Sequence, residues 1–381
     1  MAVDVPGDRA AVAEPGAVAV PGERGCAAAV LMLLALPLFG AVPPVPLQVV
    51  ATASSVVFVG AARGLDVRRA AAEAGEASRA EDVVTLSARD VWQFPFIGSA
   101  FLLTMYFAIK IFGKDVINVL LVGYFSTLGA FAVEATLENE LLPCLGVAAG
   151  AGVKYGRVFE LPRVVAYCAG QASVDARNTA AQLLCWAAAV LTCAAYVCTK
   201  FWALNNILGI CFCVSGIEMV SLGSFRNGAV LLCGLFVYDV TWVFGSDVMV
   251  TVAKGIDGPI KLLFPRRHVA GAETDKAKFS MLGLGDIVVP GLFIALLLRF
   301  DARRRLQHWP YFRAGMAGYV LGLATTLAVM YKFDAAQPAL LYLVPAVLGA
   351  SLLVAAKRNE VRLLLAFEED ESAGAAAAKA D

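Results

Sequence analysis

Charge is scarce in this chain. Only 16% of its 381 residues are Asp, Glu, Lys or Arg, against roughly a quarter in ordinary soluble domains. Neither sign dominates, since 31 Lys and Arg cancel 31 Asp and Glu. That excludes the basic face on which nucleic-acid binding depends. Histidine is nearly missing: His268 and His308 are the two present, both in polar connections. The nine cysteines lie mostly inside apolar runs. A Cys/His zinc cluster and a disulfide framework are therefore excluded, and no metal or other cofactor is expected. What fills the chain is apolar: 60% of residues, with a mean hydropathy of +0.73. A soluble protein of this length cannot hide so much apolar surface, so the chain reads as an all-α polytopic membrane protein.

A helix needs about 20 apolar residues to cross the hydrocarbon. Segments 94–112, 116–137, 181–201, 207–222, 228–249, 279–300, 311–330 and 338–356 qualify. Residues 47–62 follow Pro43, Pro44 and Pro46, which end any helix before them. Counting that stretch as the first span gives nine transmembrane helices. An earlier apolar stretch, 26–42, stays open between signal, surface element and further span. Asp4, Asp8, Glu14 and Glu23 precede it, where a signal peptide carries positive charge. Lys and Arg are more numerous on the side that holds loops 63–93 and 138–180 and the C-terminus, which puts that side in the cytosol and the N-terminus outside. Residues 63–93 read as a solvated linker, and the acidic, alanine-rich tail from Glu368 reads as disordered. No internal repeat of the transporter kind is present.

Two ionisable groups lie deep in spans, where an Asp costs about 2.5–3.5 kcal/mol. Asp239 sits mid-span in a Tyr-Asp pair, and Asp286 early in the next span after Gly283-Leu284-Gly285. Consecutive spans run antiparallel, which sets the two acids roughly 15 Å and 10 Å below one surface and lets them meet. Two facing carboxyls in a low dielectric cannot both ionise cheaply, so they share a proton. One then serves as base toward water and the other as acid toward a carbonyl oxygen. On the two carboxylates alone, catalysis and proton transport fit equally, and a packing pair or a silent helix-binding protein stays open. The neighbours add to the case. Gly283 and Gly285 allow close approach of another backbone. Pro290 lacks the N–H that would bond the Asp286 carbonyl in a regular helix, leaving that carbonyl a free acceptor. Gln337-Pro338-Ala339-Leu340 opens the last span, with proline suited to a first helical position and Ala339 small enough for close contact. Tyr238 adjoins Asp239 but does not share its helix face, so packing and substrate gating both remain open. For Glu134 and Glu218, snorkelling or a hydrogen bond to a neighbouring helix is expected rather than a water path. Cys185, Cys193, Cys198, Cys211, Cys213 and Cys233 read as helix-packing residues. Lys254, Lys261, Arg266 and Arg267 read as a solvated face.

Tyr-Asp at 238–239, Gly-Leu-Gly-Asp at 283–286 and Gln-Pro-Ala-Leu at 337–340, in that order on successive spans, resemble the GxGD intramembrane aspartyl proteases, and within them the signal peptide peptidases rather than the presenilins. Longer stretches carry the same resemblance: 94–100, 202–209 (Trp-Ala-Leu-Asn-Asn-Ile-Leu-Gly), 248–254, 259–265 and 295–301. It covers about residues 47–367. It implies nine transmembrane helices with an N-terminus outside, Asp239 and Asp286 as the catalytic dyad, and an active site shaped by Tyr238, Gly283, Leu284, Gly285, Gln337, Pro338, Ala339 and Leu340. It also implies membrane-helix substrates such as signal peptide remnants and type II segments. No accessory subunit is then required; membrane lipid surrounds the chain, no nucleic acid binds, and self-association stays open. The expected home is the endoplasmic reticulum membrane, although the C-terminus lacks a di-lysine retrieval signal. The chain then divides into a tail at 1–45, a helix bundle at 46–225, the catalytic helices at 226–360 and a cytosolic tail at 361–381. A substrate helix must unwind to be cut, and residues 261–264 or the backbone near Pro338 are expected to pair with the extended stretch.

Overall fold

The computed structural model describes residues 44–74, 84–144, 154–155, 158–160, 173–175, 178–245, 248, 252, 255–256, 258–265, 279–333 and 337–369. The stretch 26–42, most of loop 138–180, Lys254, Arg266, Arg267 and the tail beyond Glu369 lie outside them. Ten helices are present among the described residues: α1 (Val45–Ala74), α2 (Ala88–Phe112), α3 (Lys114–Cys144), α4 (Ala180–Thr199), α5 (Trp202–Met219), α6 (Phe225–Gly245), α7 (Gly285–Arg303), α8 (Pro310–Phe333), α9 (Leu340–Lys357) and the short α10 (Val361–Leu365). Eight of them are long and apolar enough to cross a membrane. The protein is thus an all-α, multi-pass membrane protein. The ninth long helix, α7, carries Asp286, Arg299, Asp301 and Arg303, and its charge sets it apart from the eight.

Burial explains how α7 tolerates those charges. It is the central helix, buried from Pro290 through Asp301 among α1, α5, α6, α8 and α9. The Asp301 carboxylate accepts the N–H groups of Tyr311 (3.3 Å) and Phe312 (2.8 Å), two of the donors that the start of α8 leaves unpaired. Pro310, with no N–H to satisfy, opens that helix. α8 and α9 pack backbone against backbone. A Cβ on Gly318 would stand 2.6 Å from the Ala346 carbonyl oxygen, and one on Gly322 2.9 Å from the Leu343 Cα.

Four of the sequence expectations need correction. The stretch 63–74 continues α1 instead of forming a linker, because its Ala, Arg and Leu are strong helix formers. It is also anchored: Arg63 lies 3.5 Å from Glu218 of α5, which gives Glu218 the interhelical partner expected of it. Helix α2 begins at Ala88, not at 94, because Ser87 and Asp90 form a reciprocal cap on its first turn. Residues 279–283 are a strand, not the start of a helix. Finally, the tail is docked as far as Glu369. Phe367 meets Phe300 edge-on at 5.1 Å between ring centroids, and the Glu369 N–H bonds the Gly223 carbonyl at 2.7 Å. The Glu369 carboxylate takes hydrogen bonds from Ser221 and Arg299 and one from Arg68 at 3.1 Å. One acidic residue thereby ties together α1, α7 and the connection between α5 and α6.

The strands are short and paired in twos. β1 (Val84–Thr85) runs parallel to β6 (Val220–Ser221). In loop 138–180, β2 (Lys154–Tyr155) pairs with β5 (Asn178–Thr179), and β3 (Val158–Glu160) with β4 (Ser173–Asp175). β7 (Lys261–Pro265) and β8 (Phe279–Gly283) form an antiparallel pair that delivers the chain directly into α7.

Candidate active site

Asp239 lies on α6, six positions before that helix ends at Gly245, and is buried, with 6% of its surface exposed. Asp286 occupies the first turn of α7 and is half-buried. Both acids therefore sit near helix ends facing the same hairpin, closer to the ends than full-length spans would place them. The charge of Asp239 is felt at Asp286. The backbone N–H of Leu340 donates to the Asp239 Oδ2 at 3.1 Å. Helix α9 begins at Leu340, two residues after Pro338, so a donor of its unpaired first turn is the one aimed at the carboxylate. Pro338, Ala339 and Leu340 are all buried, while Gln337 is half-buried.

The two glycines before Asp286 differ in role. A Cβ on Gly283 would lie 3.4 Å from the Asp286 Oδ2, so the bare Cα leaves the carboxylate its space. At Gly285 a Cβ would meet nothing within 4 Å. No neighbouring backbone approaches there, contrary to expectation, and the residue borders open space beside Asp286. Leu284 points elsewhere: its side chain reaches toward Gly209 of α5, and its N–H bonds the Ile260 carbonyl at 3.1 Å.

The hairpin is held from one side by two asparagines. Asn205 donates to the Lys261 carbonyl (2.7 Å). Asn206 donates to the Leu263 carbonyl and accepts the Leu263 N–H, both at 2.8 Å. Asn206 thus bonds to β7 as a neighbouring strand would, and the outer edge of β7 is already occupied. Because Leu263 turns its N–H and C=O away from β8, its partner Met281 turns its own away from β7. The outward edge of the pair is therefore β8, and an added strand belongs there rather than on 261–264. Asn206→Ala is expected to loosen the hairpin and lower stability by about 1–3 kcal/mol, the cost of leaving the Leu263 N–H and carbonyl without their partner. A thermal melt in detergent checks it.

Tyr238 meets α2. Its ring faces Gly98 of α2 and lies 6.5 Å from the Trp242 ring, and the Trp242 indole N–H bonds the Ser99 hydroxyl at 3.1 Å. With Trp92, Phe96, Ser99, Gly234 and Trp242 it lines a cavity of about 590 Å³ between α2 and α6. Sequence reasoning missed Asn206 and Tyr319. The Tyr319 hydroxyl donates to the Asp286 carbonyl oxygen at 3.2 Å. The missing N–H of Pro290 was the available signal for it.

Comparison with known proteins points the same way. The signal peptide peptidase family profile matches residues 78–371. The chain is 40% identical to signal peptide peptidase of Mus musculus over 299 residues, covering 75% of this chain and 74% of that one. It is 40% identical to signal peptide peptidase of Homo sapiens over 295 residues, with the same coverage. Against signal peptide peptidase-like 1 of Oryza sativa it is 31% identical over 361 residues, covering 84% of this chain and 91% of that one.

Proposed function

Because the chain belongs to the signal peptide peptidase family, we propose that it is an intramembrane aspartyl protease whose catalytic residues are Asp239 and Asp286. The observation that carries this reading is the meeting of three elements at one place. Asp239 lies six residues before the end of α6, Asp286 is in the first turn of α7, and the start of α9 donates a backbone N–H to Asp239.

The chemistry needs no group beyond the two carboxyls. Asp239 holds a main-chain donor suited to a negatively charged acceptor, so it is the base that takes a proton from water. The water oxygen attacks the scissile carbonyl carbon. Asp286, carrying the shared proton, gives it to the carbonyl oxygen. The tetrahedral diol then collapses: one of its hydroxyls returns a proton to Asp286, the C–N bond breaks, and Asp239 gives the leaving amine the proton it took from water. The open space beside Gly285 admits the substrate backbone to Asp286. An unwound stretch of substrate pairs with the outward edge of β8, which leads straight into Asp286.

The substrates are membrane-spanning helices, of which signal peptide remnants and type II segments are the class to expect. α7 is the ninth span, the C-terminus is cytosolic, and the enzyme resides in the endoplasmic reticulum membrane and works without an accessory subunit. The test is direct. Purified full-length protein, incubated in detergent with a signal-peptide-like helical reporter, yields two products cut within the apolar stretch, read by mass spectrometry. An aspartyl-protease transition-state analogue competes. Intact reporter together with proton flux across liposomes holding the protein overturns the reading.

A further inference from the structure

Pro290 stands four residues after Asp286, in the position whose N–H would bond the Asp286 carbonyl in a regular helical ladder. Proline has no N–H to give. A carbonyl without a donor is costly at membrane depth, and this one belongs to the residue whose side chain performs the proposed chemistry. The donor comes from another helix. Tyr319, on α8, is fully buried and places its hydroxyl 3.2 Å from the Asp286 oxygen.

The helix that supplies this donor is not free to drift. Gly318 and Gly322, beside Tyr319 on α8, lie against the backbone of α9 with no room for a Cβ. α9 in turn begins at Leu340, whose N–H holds the Asp239 carboxylate. A continuous chain of contacts therefore runs from Asp286 through Tyr319 and α8 to α9, Leu340 and Asp239. α6 and α7 also pack on one another directly, Phe225 and Gly228 against Phe293, away from the acids. The α8 route is the one that ends on the two acids themselves.

We infer that Tyr319 is a positioning residue. By replacing the donor that Pro290 removes, it fixes the Asp286 backbone and sets the spacing of the dyad through α8. It does not touch the reacting atoms. The carbonyl it holds is on the main chain of Asp286, one carbon from the side chain, so an error there moves the carboxyl by rotation about the Cα. The inference rests on Asp286 being a member of the dyad.

Tyr319→Phe removes one oxygen and keeps the ring that packs the core. It is expected to lower kcat by roughly five- to thirtyfold, the equivalent of one unsatisfied buried carbonyl, with KM unchanged. The pH–rate profile should change shape, because the coupling of the two acids depends on their distance. Pro290→Ala restores an N–H to the Asp286 carbonyl from within α7. In the Tyr319→Phe background it is expected to recover most of the lost kcat. Thermal melts of the four proteins in detergent give a second readout that needs no activity: the two substitutions should be non-additive. A Tyr319→Phe protein with unchanged kcat and pH profile overturns the inference. So does a loss that Pro290→Ala fails to restore, with additive melts. Should the wild-type protein cleave no reporter, the protease reading fails, while the melts still report whether Tyr319 supplies the missing donor.

Discussion

Asp239→Ala and Asp286→Ala are each expected to reduce cleavage of a membrane-helix reporter by at least about a thousandfold, since general acid–base groups contribute about 10²–10⁴ apiece. Either acid alone can neither activate water nor protonate the carbonyl while the other role goes unfilled. The double substitution should therefore be scarcely worse than either single one, as for any catalytic unit that acts together. Asp239→Asn is the sharper probe. An amide oxygen can still accept the Leu340 N–H, so the meeting of α6 and α9 survives while the base is lost. Product formation followed by mass spectrometry, with circular dichroism to confirm folding, decides the matter. Residual cleavage within tenfold of wild type by any of these variants would remove the dyad from the mechanism.

The second large effect is expected far from the dyad. Glu369→Gln leaves the buried guanidinium of Arg299 without its counter-charge. Breaking such a pair by removing one partner costs about 3–5 kcal/mol, and Arg299 already has two nitrogens, Nη1 and Nη2, without a hydrogen-bond partner. Burial pushes the Glu369 carboxyl up, but the charges of Arg299 and Arg68, with hydrogen bonds from Ser221 and Arg299, outweigh it and hold the group below its ordinary value of 4.5. The sign follows from that depression. The contribution is complete at neutral pH, begins to fade as pH falls past about 4.5, and is gone below the lower folded value. The melting temperature of the Gln variant should accordingly be depressed at pH 7 and approach that of wild type in acid. Replacing both partners, as Arg299→Met with Glu369→Leu, should recover stability. Equal melting temperatures for wild type and Glu369→Gln at pH 7 would show that the tail does not clamp the bundle.

The helices were legible from the sequence wherever a long apolar run made the choice, and the Asp239, Asp286 and Leu340 positions were legible from their motifs. What escaped has physical causes. The strand at Phe279–Gly283 is as apolar as a span, and hydropathy does not separate a five-residue strand from a helical turn. The Gly at 285 was read as a contact point, but which way a missing side chain would have pointed is a tertiary fact. Residues 63–74 read as a solvated linker and the tail from Glu368 as disordered, because the partners that neutralise Arg63 and Glu369 lie 155 and 70 or more residues away along the chain. The orphaned carbonyl of Asp286 could be deduced from Pro290, but its donor, Tyr319, could not be chosen among the aromatic residues without the packing.

With Asn206 on one flank, the hairpin can grow in a single direction, and the template it offers is five residues long. A guest segment converted from helix to strand over that length stretches from about 1.5 Å to about 3.3 Å per residue, a gain of roughly 9 Å. That slack has to go somewhere. A guest tethered firmly at both membrane faces would resist being drawn out, whereas one already severed near one face yields freely. On the proposed reading, freedom of one end, more than the letters at the cut, decides which helices can pair with this edge.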